Sequence, residues 1–172
     1  MASASIIRPR GNDGDMDAQS EKQLADVIRN TRIAALATLR DAAPLVSMVP
    51  YVVVEDFSAF YILVSRLAQH TVDMQKDKHV SLLITETDDG RADPQTLARV
   101  SIRAAAESVQ NGEPGYTPVK SLYLTRFPES EPVFKLDDFN LWRIKPRGGR
   151  FVADLAKAYN ITPETLEKVA LR

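Results

Sequence analysis

The chain has 172 residues, with 22 lysines and arginines against 23 aspartates and glutamates and a formal net charge of -1. A balance this even, without a basic stripe, argues against nucleic acid as a partner, and the absence of cysteine excludes disulfides, thiolate metal sites and a cysteine nucleophile. With 44% hydrophobic residues, no apolar leader after Met1 and no run of transmembrane length, the chain is expected to be a soluble cytoplasmic protein with no membrane partner.

Residues 1–18 include Gly11, Asn12, Asp13 and Gly14 and are expected to form a flexible arm, mobile or draped over a partner subunit. Residues 19–172 then read as a single domain. Ser20, followed by Glu21, Lys22 and Gln23, looks like a helix cap and capping box, and Leu24, Val27 and Ile28 supply the apolar stripe of a helix ending near Asn30 to Arg32. Ile33 to Leu39 is a strand of small residues, and Arg40 to Pro44 is a turn. Pro44 to Val54 reads as one long strand, in which Pro50 marks an edge, a bulge or a close approach to the backbone. Phe60 to Val64 is a buried strand, followed by a short helix from about Ala68 to Lys76.

His79 to Thr85 is another core strand, Glu86 to Gln95 a charged loop, and Ala98 to Val109 a half-buried strand. Thr117 and Pro118 open a helix carrying Val119, Leu122, Tyr123 and Phe127, which Pro128 stops. Leu141 to Ile144 and Arg150 to Ala153 read as two final strands around Pro146 to Gly149, and Thr162, Pro163 and Glu164 open a terminal helix. The class is mainly β with flanking helices (α+β), an antiparallel small barrel.

Catalytic constellations are scarce. The two histidines, His70 and His79, cannot build a histidine-rich metal site, so no metal is expected. No nucleophile elbow or glycine-rich phosphate loop is present, and Asp88, Asp89 and Asp93 lack the spacing and the glutamate of a calcium loop. One polar cluster stands out, where the strand ending in Val64 runs through Ser65 and Arg66 into a helix start at His70 and Thr71. Free N–H groups at a helix start beside hydroxyls, a guanidinium and an imidazole make a phosphate seat; the same hydroxyls also serve as ordinary caps.

The string Val64-Ser-Arg-Leu-Ala-Gln-His-Thr71, with Ser47-Met-Val-Pro-Tyr51 before it and His79-Val-Ser-Leu-Leu-Ile84 after it, resembles the FMN-binding split barrel of the pyridoxamine 5'-phosphate oxidase-like superfamily, nearest its haem-utilisation branch. The resemblance continues through Asp93 to Ile102, Tyr123 to Pro128 and Leu136 to Ile144. It implies a Greek-key-like split β-barrel, a homodimer with FMN in the groove between two chains, and oxidoreductase chemistry on a small-molecule substrate. It also implies the cofactor contacts. Ser65, His70 and Thr71 would meet the phosphate beside Val64, Ser47, Met48, Val49, Pro50 and Tyr51 would line the ribityl and ring, and Arg99 would supply a second positive charge, with Arg66 in a lesser role. Trp142 and Arg143 stand where related oxidases place late flavin contacts, and Trp142 equally suits a core position.

Departures from the pattern keep a second possibility open. His70 and Thr71 replace the Arg-Lys pair of the oxidases proper, Ala104 stands for a usual glycine, and Phe151 to Ala158 replaces a glycine-rich run of the haem-utilisation branch. Haem binding in the same fold, or a flavin- or ligand-binding barrel without catalysis, is the alternative.

Overall fold

The computed structural model describes residues 16–172, so most of the expected arm over 1–18 lies outside the described residues. Helix α1 (Ala18–Asn30) is capped by Asp17, whose Oδ1 accepts from the Ser20 N–H at 2.8 Å. That backbone bond, with Lys157 next in weight, holds the Asp17 carboxyl down at about 2. The cap expected at Ser20 is therefore three residues too late. Ser20 is buried one turn inside, its hydroxyl 3.2 Å from the Tyr159 hydroxyl.

Glu21 is also buried and takes Lys168 at 2.7 Å and Arg172 at 2.6 Å, joining α1 to α4 (Pro163–Ala170). Lys168 and then Arg172 hold its carboxyl below the ordinary glutamate value. A carboxyl depressed in the folded state stabilises the protein above its unfolded pKa, and that stability is lost as pH falls through the folded value. Glu21→Gln is expected to cost about 2 kcal/mol in urea denaturation at pH 7, with the difference from wild type shrinking as pH falls below 4.5.

Strands β1 (Ile33–Arg40) and β2 (Ala43–Pro50) form a hairpin closed by Asp41 and Ala42, at φ of 49° and 65°. Two consecutive positive values are what a right-twisted hairpin requires of a two-residue turn. Alanine meets that demand at a steric cost of about 1 kcal/mol, so Ala42→Gly is expected to raise the thermal melting temperature measurably.

The expected long strand from Pro44 to Val54 is broken at Tyr51. Beyond it β3 (Val52–Val53) pairs with β4 (Phe60–Ser65) and not with β1. The antiparallel sheet runs β2-β1-β5-β6-β7-β4-β3, with β5 over His79–Thr85, β6 over Arg99–Val109 and β7 over Phe139–Val152. Its two end strands are thus joined through one residue, and the sheet must curl to bring them together. Tyr51 fixes that corner, donating its N–H to the Arg32 carbonyl at 3.2 Å and its hydroxyl to the Ile28 carbonyl at 2.6 Å. Pro50 ends an edge strand, where a missing ladder donor costs least.

The two final strands expected around Pro146 are one strand. β7 pairs with β4 over Phe139 to Ile144 and with β8 (Ala158–Ile161) over Gly149 to Val152. Pro146 falls in the interval between those partners, and on the β6 side the register shifts between Arg103 and Ala104, leaving Arg147 as the extra residue of a bulge. A proline and a bulge therefore fit a continuous strand here. Gly149 is required for close approach, because a Cβ there would lie 2.1 Å from the Ser101 carbonyl oxygen. Strand β8 has no sequence signal beyond buried Tyr159 and Ile161.

Two apolar cores result. The barrel interior holds Leu24, Ile28, Leu36, Phe60, Ile62, Leu82, Ile102 and Phe151. A second cluster under α3 (Tyr116–Arg126) joins Val119, Tyr123 and Phe127 to Tyr61, Leu63 and Leu141. Strand β4 faces both, which is why it reads as an unbroken apolar run. Helix α2 (Gln69–Lys76) packs on β1 and β2. The outer face of β1, β2 and β5 remains apolar and open, with Ile33 50%, Val46 64%, Met48 65% and Leu83 39% exposed. Among the described residues no helix is long and apolar enough to cross a membrane.

Candidate functional site

The end of β4 and the start of α2 form a built corner. Ser65 Oγ accepts from the Leu67 N–H at 3.1 Å and donates to Asp138 Oδ2 at 2.9 Å, while the Arg66 N–H donates to the Asp138 carbonyl at 2.6 Å. The Ser65 hydroxyl is thus committed to shaping the turn. Ala68 supplies no side-chain cap to α2; the Thr71 N–H turns back to the Ala68 carbonyl at 3.0 Å, and the N–H groups of Gln69 and His70 stand ahead of it without a side-chain cap. Two side-chain atoms of that turn, His70 Nε2 and Thr71 Oγ1, are buried without a hydrogen-bond partner among the described residues. Burial lowers the His70 pKa, with the Asp73 carboxylate pulling weakly the other way. The ring is therefore neutral near pH 7, able to donate from one nitrogen.

The helix is held by residues that the sequence did not single out. Asp73 is fully buried, its Oδ1 accepting from Arg40 Nε and Gln69 Nε2 and its Oδ2 from Thr38 Oγ1, each at 3.0 Å. Thr38 carried a signal: with Ala34 and Leu36 it lies on the inward alternation of β1, and a hydroxyl facing inward needs a partner. Asp73 fixes the rotation of α2 and so the position of His70 and Thr71.

The other expected site residues divide. Ser47 and Met48 line a cavity of about 580 Å³ on the outer face, with Ile33, Ala35 and Leu83. Val49, Tyr51 and Val64 point into the core, and Pro50 is half-buried. Arg99 is held by the carbonyls of Gln95 and Leu97, both at 2.9 Å, and pairs across from Thr85, six positions along β5 from His79. Since α2 is tied to the other end of β1, Arg99 lies roughly 20 Å along the sheet from it within one chain. Arg66 is exposed. Trp142 is a core residue, its Nε1 unpartnered, and Arg143 pairs with Glu107 at 2.6 Å. Among the described residues no group of three or more metal-ligating side chains comes together.

Comparison with known proteins agrees with this architecture. The chain is 24% identical over 153 residues to the heme oxygenase HutZ of Vibrio cholerae, covering 88% of this chain and 86% of that one. It is 32% identical over 118 residues to the chloroplastic non-canonical heme oxygenase HOZ of Arabidopsis thaliana, 67% of this chain, and spans only 34% of that relative's length. In fold it resembles a heme binding protein from Mycobacterium smegmatis, with a TM-score of 0.77 at 21% identity over 90% of this chain and 62% of the other. These likenesses are to haem proteins, as the resemblance to the haem-utilisation branch implied. A family model described as pyridoxamine 5'-phosphate oxidase matches residues 20–153, the whole stretch from α1 through β7 that builds the barrel and the β4–α2 corner, and the chain belongs to that family.

Proposed function

We propose that the protein binds FMN and acts as an oxidoreductase on a small organic molecule, with the flavin held between two copies of the chain. The observation that carries this is the pair of polar atoms buried without a partner among the described residues, His70 Nε2 and Thr71 Oγ1, in the first turn of α2, which has no side-chain cap. A buried donor without a partner is costly, and a phosphate oxygen would satisfy it. The residues present therefore fit the phosphate end of FMN. When bound, the isoalloxazine ring supplies the redox chemistry; the chain orients it, and Ser47 and Met48 on β2 contribute to the wall beside it. Arg99 reaches such a site only from the second copy, which makes the dimer part of the proposal. The open apolar face around Val46 and Met48 is the surface that a second copy would cover.

The visible spectrum of purified protein after incubation with excess FMN and desalting tests this. Retained flavin bands at about one FMN per chain support it, and a colourless protein removes it. A second reading is haem binding in the same fold. It is favoured by relatives named for haem and by an outer-face groove carrying an oriented histidine and two arginines.

A further inference from the structure

A second groove, of about 490 Å³, lies on the outer face of the sheet, and it shares no residue with the cavity around Met48. It sits where β5 begins and β1 ends. One wall is apolar, made by Ala37, Leu39 and Pro44 at the end of the β1–β2 hairpin; the other carries His79 on β5, Arg103 on β6 and Arg147 on β7. None of these belongs to the β4–α2 corner.

His79 is set up by its neighbour. Asp77 Oδ1 accepts the His79 backbone N–H at 2.9 Å and lies 2.7 Å from Nδ1 of the ring. With the Nδ1 proton committed to the carboxylate, Nε2 is the nitrogen left with a lone pair, on a side chain that is 76% exposed. A carboxylate that fixes the tautomer and direction of an imidazole is the usual second partner of a metal-binding histidine. His70 offers no equivalent, because its Nε2 is buried in the first turn of α2.

The charge of the groove is one-sided. Arg103 and Arg147 have neither a hydrogen-bond nor an ion-pair partner among the described residues, and no carboxylate lines the groove. Two free guanidiniums beside an apolar wall suit a flat, largely apolar ligand that carries carboxylates. Adding an imidazole with a free lone pair narrows the class to one that also presents a metal, and iron in a tetrapyrrole is commonly held by one histidine.

We propose that this groove seats an iron tetrapyrrole, with His79 as the iron ligand, Asp77 orienting that imidazole, and Arg103 and Arg147 pairing with the propionate carboxylates. This deepens the haem reading given above and rests on it. It places haem and flavin phosphate at separate positions, so each is removable without the other.

Titration of the full chain with hemin, followed through the Soret and visible bands, is the test, with FMN uptake scored on the same preparations. Wild-type protein is expected to show a histidine-ligated spectrum. His79→Ala is expected to keep its far-ultraviolet circular dichroism and its FMN uptake, to lose the ligation signature, and to regain it when free imidazole is added. Asp77→Asn is expected to weaken hemin binding about tenfold. The double change Arg103→Ala and Arg147→Ala is expected to keep the ligation signature while lowering hemin affinity about tenfold or more. A His79→Ala spectrum that superimposes on wild type overturns the ligand assignment, and unchanged affinity in the double arginine variant overturns the groove. Ligation lost in His70→Ala but kept in His79→Ala preserves the haem reading and overturns only this placement. No hemin uptake by wild type overturns both, and FMN uptake then judges the flavin reading alone.

Discussion

Met48→Glu is expected to yield a monomer that leaves a desalting column without flavin. Met48 is 65% exposed on β2, in one apolar surface with Val46 at 64% and Ile33 at 50%. In a single chain a glutamate there projects into water, and the fold should lose about half a kcal/mol or less. Between two chains the same carboxylate would be buried without a partner, at a cost of several kcal/mol per ion. A twofold axis places the change on both sides of the interface, so dimerisation should weaken by about 100-fold or more. Sedimentation equilibrium at micromolar concentration reads the first effect, and the flavin absorbance of the desalted protein reads the second. A persisting dimer would show that another surface mediates pairing. A monomer that retains FMN would show that the flavin does not need the second chain.

The second large effect concerns the corner between β4 and α2. Thr71→Val should leave the fold as stable as wild type or slightly more so, since the hydroxyl it removes is buried and has no partner among the described residues. The same change should weaken FMN binding by about tenfold or more, because a hydrogen bond to a charged phosphate contributes about 1.5 to 3 kcal/mol. His70→Ala should weaken it by a similar factor. This opposition between stability and affinity separates a ligand contact from a packing role: a structural threonine would lose stability on substitution and leave affinity intact. Urea denaturation and fluorescence titration with FMN are the paired measurements. His70 also carries a pH signature in the empty protein. Burial lowers its pKa in the folded state, so the unfolded chain takes up the proton first, and stability should fall as pH drops through about 6.5. His70→Ala should flatten that slope.

Much of this fold was legible because its signals are local. His79 to Thr85 reads as a core strand and forms β5 over those residues; Thr162 and Pro163 cap and open α4 as expected. The mainly β, antiparallel barrel with four flanking α-helices was likewise readable. The misreadings share one cause, that partners distant in sequence decided the outcome. Pro146 looked like a break because nothing local shows that β4 stops pairing at Ile144 and β8 begins at Gly149. Tyr51 looked like mid-strand because its bonds run to Ile28 and Arg32. Asp17 takes the cap in place of Ser20, whose hydroxyl is buried against that of Tyr159, 139 residues away.

At the candidate site the local elements were legible and their long-range anchors were not. Ser65 ends β4 and His70 and Thr71 open α2, close to where the sequence put that junction, whereas the Asp138 that occupies Ser65 lies 73 residues from it and the Asp73 that anchors the helix lies 35 and 33 residues from Thr38 and Arg40. Arg99 shows the limit plainly, since a strand residue's distance from a site depends on which end of the sheet it occupies.

The bulge on β7 also determines how Arg147 is presented at the second groove. Between Ile144 and Gly149 the strand has no ladder partner among the described residues on the side shared by β4 and β8, and opposite it the β6 register slips. Arg147 stands at that slip. A bulge lets one side chain be re-aimed without disturbing the strand on either side of it, and a stretch with fewer ladder bonds opens at lower free energy than its surroundings. The arginine at the groove's edge is therefore carried by the least laddered stretch of β7, while Lys145, Pro146 and Gly148 on either side of it keep their β6 partners.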